Sequence, residues 1–263
     1  MQPVALHIGN FAIHWYGILV GLGCLLGLWS ASRRGLRSGL QPDRVYDLGL
    51  WMMVGVVIGA RGLFIFTHWE TDFAGRSVLS WLNLRSGGLV FYGGFLGAAA
   101  AAILYCQIRS QPLWRLADAY APSIALGSVL GRIGCLMTGC CYGSVCELPW
   151  AIRFPTGHAT HGTAVHPVQI YDALLNLVVW AVLEFLHRKR KFEGQVFAAW
   201  LLTYPIARSI AELFRGDYPV RYLDGRLTPA HLVGAGLFVT GCVLYFWLLK
   251  RSARPGSSPS SPG

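Results

Sequence analysis

Apolar runs of about 20 residues, each closed by a polar or charged stretch, constrain this chain more than any other feature. A helix of that length matches the hydrocarbon thickness of a bilayer. Seven such runs can be marked in the 263 residues, over 13–31, 48–66, 87–106, 119–138, 168–186, 196–214 and 230–249. No alternating strand pattern competes with them, and no internal repeat is present. Only 13% of the residues are charged and 54% are apolar, whereas a soluble domain carries about twice that charge fraction. The formal net charge of +10 raises the possibility of a nucleic-acid partner. Its placement excludes one, because the basic residues sit mostly at the ends of the apolar runs, where membrane topology puts them. The expected fold is therefore an all-α integral membrane protein of about seven spans. It forms one domain over 1–254, followed by a disordered tail (PGSSPSSPG) over 255–263.

Charge asymmetry orients the spans. Arg33, Arg34, Arg37 and Arg44 follow span one, and Arg109 and Arg115 follow span three. Arg188, Lys189, Arg190 and Lys191 follow span five, and Lys250, Arg251 and Arg254 follow span seven. These thirteen lie on one side, against six on the other: Arg76, Arg85, Arg153, Arg215, Arg221 and Arg226. The positive-inside rule puts the C-terminus in the cytoplasm and the N-terminus outside. Residues 1–12 hold no Lys or Arg, so the first run reads as a retained anchor and not a cleaved signal peptide.

Within the runs, Arg61, Arg132 and Arg208 need a reason, because a charged side chain near the bilayer centre costs roughly 3 kcal/mol or more. All three lie in spans that run from inside to outside. Each is about six residues from the outer end, or roughly 9 Å of helix rise. His14 and Tyr16 open span one in the same layer, Tyr92 lies a turn into span three, and Tyr171 and Asp172 open span five. Glu212 and Arg215 share a helix face with Arg208. A cationic pocket under the outer leaflet is the expectation, and the planar guanidinium fork suits phosphate. Plainer readings stand beside it. Arg208–Glu212 is also a reasonable structural pair, a lone Arg61 can snorkel to headgroups, and His14, Trp15 and Tyr16 fit an aromatic belt.

Five segments, in order along nearly the whole chain, resemble the signatures of the bacterial prolipoprotein diacylglyceryl transferases. They are His14-Trp15-Tyr16-Gly17, the run from Gly87 to Gly94 (GGLVFYGG), Gly131-Arg132-Ile133-Gly134, the run from His166 to Tyr171 (HPVQIY), and the segment from Arg208 through Glu212 to Arg215. The resemblance implies a multi-pass enzyme of the bacterial inner membrane. Such an enzyme takes the diacylglyceryl group of phosphatidylglycerol and places it on the thiol of a prolipoprotein lipobox cysteine. The products are a thioether and glycerol phosphate, and no metal or organic cofactor is implied. By similarity, Arg132 and Arg208 act on the phosphate, Glu212 orients Arg208, and Tyr92 joins them in the catalytic set. Tyr16, His14, Arg61, Gly93, Gly94, His166, Gln169, Tyr171 and Arg215 line the substrate sites. A divergent relative with another acceptor or a thiol-redox task is the alternative. A non-enzymatic lipid or anion carrier ranks below that, since the inner halves of the spans show no polar path.

The chain departs from the family pattern at several positions. Tyr92 stands where members carry a histidine, and a phenol with an ordinary pKa near 10 is a poor base at neutral pH. Cys135 and Cys140 replace an asparagine and a glutamate, and Asp172 replaces a glutamate. Four of the seven cysteines, Cys135, Cys140, Cys141 and Cys146, fall within twelve residues. Inert packing, a disulfide on the oxidising side, and a reactive thiol or metal site all remain open for them. Their spacing matches no familiar zinc motif. Cys24, Cys106 and Cys242 are scattered and read as small packing residues. His158, His161 and His166 offer a loop metal site, against the plainer reading of exposed loop histidines.

Overall fold

The structure is a computed structural model that describes residues 4–9, 11–74, 81, 87–217 and 227–253. Seven α-helices run through these residues: α1 (Trp15–Arg37), α2 (Pro42–Thr67), α3 (Phe91–Ile108), α4 (Leu113–Thr138), α5 (Val168–Arg188), α6 (Gln195–Glu212) and α7 (Pro229–Ser252). Five of them, α1, α2, α4, α5 and α7, are long and apolar enough to cross a membrane. Helix α3 is apolar but shorter. Helix α6 has 18 residues and includes Arg208 and Glu212. Basic residues close α1 (Arg34, Arg37), α5 (His187, Arg188) and α7 (Lys250, Arg251), where they complement the negative end of the helix dipole.

Two small hairpins depart from the purely helical expectation. Strand β1 (Val4–Ile8) pairs antiparallel with β2 (Phe11–His14). His14 therefore ends a strand, and α1 begins at Trp15. Strand β3 (Ile152–Arg153) pairs with β4 (Ala164–Val165) between α4 and α5. The third run also starts later than expected. Gly87 and Gly88 take φ of +80° and +82°, which a continuing helix cannot accommodate, so α3 opens at Phe91. The tail over 255–263 and the loop arginines 76, 85, 221 and 226 lie outside the described residues.

The chain folds as two compact units, Met1–Ala31 with Ala117–Gly263, and Ser32–Leu116. In the second unit, α2 and α3 pack closely through facing glycines. A Cβ on Gly59 would run into the Gly93 carbonyl, one on Gly93 into the Gly59 carbonyl, and one on Gly97 into Gly55. Glycines four apart on each helix let the backbones touch, as lipid-embedded pairs require. Arg61 anchors the approach to α3. Its Nε donates to the Trp81 carbonyl at 2.7 Å, and its Nη1 donates to Gly87 and Gly88 at 2.9 and 3.2 Å. The guanidinium also lies 5.4 Å from the Phe64 and Phe73 ring centres.

In the first unit, α1 lies on α4 through Gly23 against Gly127, Gly27 against Ser123 and Gly134 against Tyr16. The apolar core joins Ala121 and Ala125 of α4, Val179 and Leu183 of α5, and Val196, Trp200 and Ala207 of α6. Helix α7 seats Gly234 on Pro205 and Gly241 on Leu201 of α6. Asp118, fully buried near the start of α4, reaches across to the first turn of α6. Its carboxylate accepts the backbone N–H of Gly194 at 2.8 Å, Val196 at 2.9 Å and Phe197 at 3.0 Å. Those are donors that a helix start leaves without intrahelical partners.

Two outcomes follow from this packing. Asp118→Ala should cost about 2 kcal/mol and lower the unfolding midpoint of detergent-solubilised protein, with Asp118→Asn recovering part of the loss. Gly59→Leu should force α2 and α3 apart and sharply raise protease sensitivity within Ser32–Leu116, whereas Gly62→Ala, at a glycine whose added Cβ meets nothing, should not.

Candidate active site

Three helices each send one charged group toward a common point in the first unit. Helix α4 supplies Arg132, α5 supplies Asp172, and α6 supplies Arg208. Asp172 Oδ2 sits 2.8 Å from Arg132 Nε and 2.9 Å from Arg208 Nη1. One turn further along α5, Asn176 donates its Nδ2 to Asp172 Oδ1 at 2.8 Å and fixes the carboxylate plane. On α6, Glu212 lies one turn after Arg208 and pairs with its Nη2 at 2.6 Å. Thr228, just before α7, donates its hydroxyl to Glu212 Oε1 at 2.9 Å. Arg215 approaches Glu212 at 3.9 Å and grips Asp217 with two bonds of 2.8 and 2.7 Å.

The charges therefore alternate along Arg132, Asp172, Arg208, Glu212, Arg215 and Asp217. The expected cationic pocket, in which Arg208 and Glu212 were already a candidate pair, is balanced in charge among these residues: three guanidinium groups are matched by three carboxylates. Unpaired buried charge would cost several kcal/mol per ion, and alternation removes most of that cost. The guanidinium groups are not equally open. The Arg132 side chain keeps 22% of its surface, against 11% for Arg208 and 8% for Arg215. Arg132 has its Nε on Asp172, and its Nη atoms take no acceptor among the described residues. An incoming anion with two oxygens can meet that free fork while the carboxylate holds the side chain in place.

A loop platform borders the charged chain. Gly143 bridges Arg215, Ser144 N donates to the Phe214 carbonyl at 2.9 Å, and Gly216 N donates to the Tyr142 carbonyl at 3.1 Å. A Cβ on Gly143 would collide with the His166 backbone, so only glycine fits there. His166, Tyr171 and Phe214 form a ring cluster with centroids 5.2 to 6.0 Å apart. The Tyr171 hydroxyl accepts from Trp150 Nε1 at 2.7 Å and lies 3.4 Å from His166 Nδ1. Gln169, almost fully buried, donates its Nε2 to the Cys140 carbonyl at 2.7 Å. Its amide oxygen is buried with no partner among the described residues. His158 bonds the Gly139 carbonyl at 2.9 Å and stacks on Phe154. Among the described residues, neither His158, His161 nor His166 joins a group within metal-ligand range.

The cysteines resolve differently from the disulfide reading. All seven are free thiols. Instead, the sulfurs of Cys135, Cys140 and Cys141 all lie within 4.8 Å of one another. The chain turns back on itself at the end of α4, with Gly139 at φ +80° and Cys141 at φ +60°. Cys140 and Cys141 thereby return over the last helical turn, where Cys135 points. Hydrogen bonds from the Cys135 and Cys141 thiols hold the Cys140 thiol well below its ordinary pKa range. Cys146 lies outside the group, with its backbone N–H on Ala164 at 3.0 Å.

Of the residues singled out from sequence, Arg132, Arg208, Glu212 and Arg215 come together, with His166, Gln169 and Tyr171 on the adjoining loop and helix start. Tyr16 packs over Gly134, within electrostatic reach of Arg132 and the thiol group. His14 is exposed on β2, paired with Val4. Arg61, Tyr92, Gly93 and Gly94 belong to the second unit. Gly94 faces Val56 and Ala60 of α2, and Tyr92 is exposed. Sequence reasoning missed the hub. Asp172 was read as a polar opening of span five and as a replacement for a family glutamate, never as the partner of both arginines, and Asn176, Thr228 and Asp217 not at all. For Asn176 a signal existed, namely an amide four residues after a carboxylate on an apolar helix, on the same face.

Comparison with known proteins was made against this geometry. A family model described as prolipoprotein diacylglyceryl transferase matches residues 3–247. The phosphatidylglycerol–prolipoprotein diacylglyceryl transferase of Symbiobacterium thermophilum is 32% identical over 263 residues, covering 98% of this chain and 97% of the relative. The enzyme of the same description from Geobacillus kaustophilus is 32% identical over 261 residues, covering 96% and 93%. That from Bacillus cytotoxicus is 32% identical over 257 residues, covering 95% and 93%.

Because two arginines share one buried carboxylate, Asp172→Ala should lower stability by about 3–5 kcal/mol, read as a fall in the unfolding midpoint in detergent. Combining Asp172→Ala with Arg132→Met should recover part of that loss, since Asp172 is the one carboxylate partner of Arg132 among the described residues and the second change removes a stranded charge.

Proposed function

The chain belongs to the prolipoprotein diacylglyceryl transferase family, and from that premise we propose that its alternating arginine–carboxylate chain is where phosphatidylglycerol is cleaved. The protein is a membrane-embedded transferase that moves a diacylglyceryl group from phosphatidylglycerol to prolipoproteins. In the proposed reaction, the thiolate of the lipobox cysteine attacks the diacylglyceryl carbon that bears the phosphate. A C–S bond forms, the C–O bond to phosphate breaks, and glycerol phosphate leaves with the electron pair.

The observation that carries this reading is the joint hold of Asp172 Oδ2 on Arg132 and Arg208, at 2.8 and 2.9 Å. Charge grows on the leaving phosphate as the C–O bond breaks. Preorganised cations in a medium of low dielectric stabilise that charge more than water does. Arg132, the most open of the three arginines, receives the phosphodiester on its free fork. Arg208 stands behind it near the leaving oxygen and is kept in place by Asp172 and Glu212. Tyr16 lines the lipid side next to Gly134, and His166 and Tyr171 wall the loop side. In the second unit, Arg61 braces the glycine pair leading to α3.

The proposed topology is seven crossings by residues 1–254 in a bacterial inner membrane, with the N-terminus outside and the C-terminus in the cytoplasm. The thirteen-to-six asymmetry in basic residues supports it.

The test supplies purified protein with phosphatidylglycerol vesicles and a lipobox peptide, and follows the peptide mass. Wild type should add one diacylglyceryl group per cysteine. Arg132→Ala and Arg208→Ala should each lower the rate by roughly 100-fold or more while inserting normally. An unmodified peptide with well-inserted wild type would refute the transferase reading. Full activity in both arginine variants would refute the mechanism alone.

A further inference from the structure

The reaction needs the acceptor as thiolate, and in the resemblance noted above Cys140 and Tyr92 stand where the family pattern has a glutamate and a histidine. A phenol is too weak a base for that proton transfer near neutral pH. Three observations point to what replaces it. First, Cys135, Cys140 and Cys141 bring three sulfurs within 4.8 Å of one another. Thiolate ligands about 2.3 Å from a tetrahedral zinc ion stand about 3.8 Å apart, so each sulfur moves by well under about 1 Å to bind one. Second, the group sits on the C-terminal end of α4, which has no basic residue in its last turn. The carbonyls there favour a cation. Cys135 O already accepts from Thr138 Oγ1 at 3.1 Å and from Cys140 Sγ at 3.8 Å. Third, the group adjoins the phosphate site, since Cys135 follows Arg132 by three residues on the same face of α4 and Arg132 is paired with Asp172. Gln169 clamps the Cys140 carbonyl, so the turn that carries the thiols is tied to the start of α5.

We infer that Cys135, Cys140 and Cys141 form a zinc site with an open fourth position, and that the acceptor thiol binds there to be activated for alkylation. This rests on the transferase reading above. Three thiolates around a divalent ion leave one negative charge, placed beside Arg132. A fourth, incoming thiol loses its proton to water on coordination, as metal-bound thiols do, and presents a sulfur nucleophile next to the phosphodiester held by Arg132. The sulfur then leaves zinc as a neutral thioether, and the electron pair of the broken C–O bond departs on glycerol phosphate. Zinc takes no part in electron transfer, and a closed four-cysteine structural site would lack the open position this requires.

The test uses the full chain in detergent. Zinc content should be one per chain. Cobalt replacing zinc should give the near-ultraviolet charge-transfer absorption of three thiolates, which gains a fourth on addition of a lipobox cysteine peptide but not of its serine analogue. Cys135→Ser, Cys140→Ser and Cys141→Ser should each weaken metal binding by roughly 100-fold or more, and Cys146→Ser should leave it unchanged. Stripping wild type with a chelator should abolish transfer to the peptide, and zinc should restore it, which avoids relying on variants that fail to fold. Full transfer by the stripped protein, or by Cys140→Ser, would overturn the zinc site and leave the transferase reading standing. A peptide-responsive cobalt site in a protein that never transfers lipid would uphold thiol binding at zinc and overturn the transferase reading.

Discussion

One buried carboxylate oxygen, Asp172 Oδ2, holds two guanidinium groups from different helices, and the rest of the site is arranged around that contact. Placing Arg132 and Arg208 side by side without it would set two like charges together in a medium of low dielectric, at a cost of several kcal/mol. Asp172 converts that repulsion into a bridge across α4, α5 and α6. It also requires its own support: Asn176 takes the second oxygen, and Glu212 balances the far side of Arg208 with help from Thr228. The middle of the chain is rigid because Asp172, Arg208 and Glu212 are each held by at least two neighbours, and rigidity lets a charged site act on developing charge without reorganising.

Close helix packing provides the frame. Apolar side chains gain little by leaving lipid for one another, so association depends on backbone approach and directed polar contacts. Glycine faces supply the approach at α2–α3, α1–α4 and α6–α7. Asp118 supplies a directed contact, fastening the start of α6 to α4 through three backbone N–H groups. That fastening matters for chemistry because α6 carries Arg208 and Glu212. Gly134 shows the same economy at the site itself, since its missing side chain is the space Tyr16 occupies.

The thiol group extends this logic from charge pairing to coordination. A helix end with no basic residue in its last turn, three convergent sulfurs and a neighbouring guanidinium form one electrostatic unit. A cation among the sulfurs is favoured by the dipole and by the thiolates together.

Much of this was legible from residues alone. Run length and the placement of basic residues are consequences of transfer between water and hydrocarbon, which acts on each residue largely independently of the fold. The ordered motifs pointed to the same family that the comparisons show. Where the sequence reading stopped, geometry between distant residues decided the outcome. Asp172 became the hub only because α5 faces both α4 and α6. Arg61, an arginine within an apolar run like Arg132, spends its donors on loop carbonyls, because two left-handed glycines bring those carbonyls to it. The cysteine spacing resembles no metal motif, yet a turn through Gly139 and Cys141 in the left-handed region folds the three sulfurs together. Hydropathy is additive along a chain and can be read in one dimension. Pairing between charges and convergence of ligands depend on which helix faces meet, and that is a property of the packed structure alone.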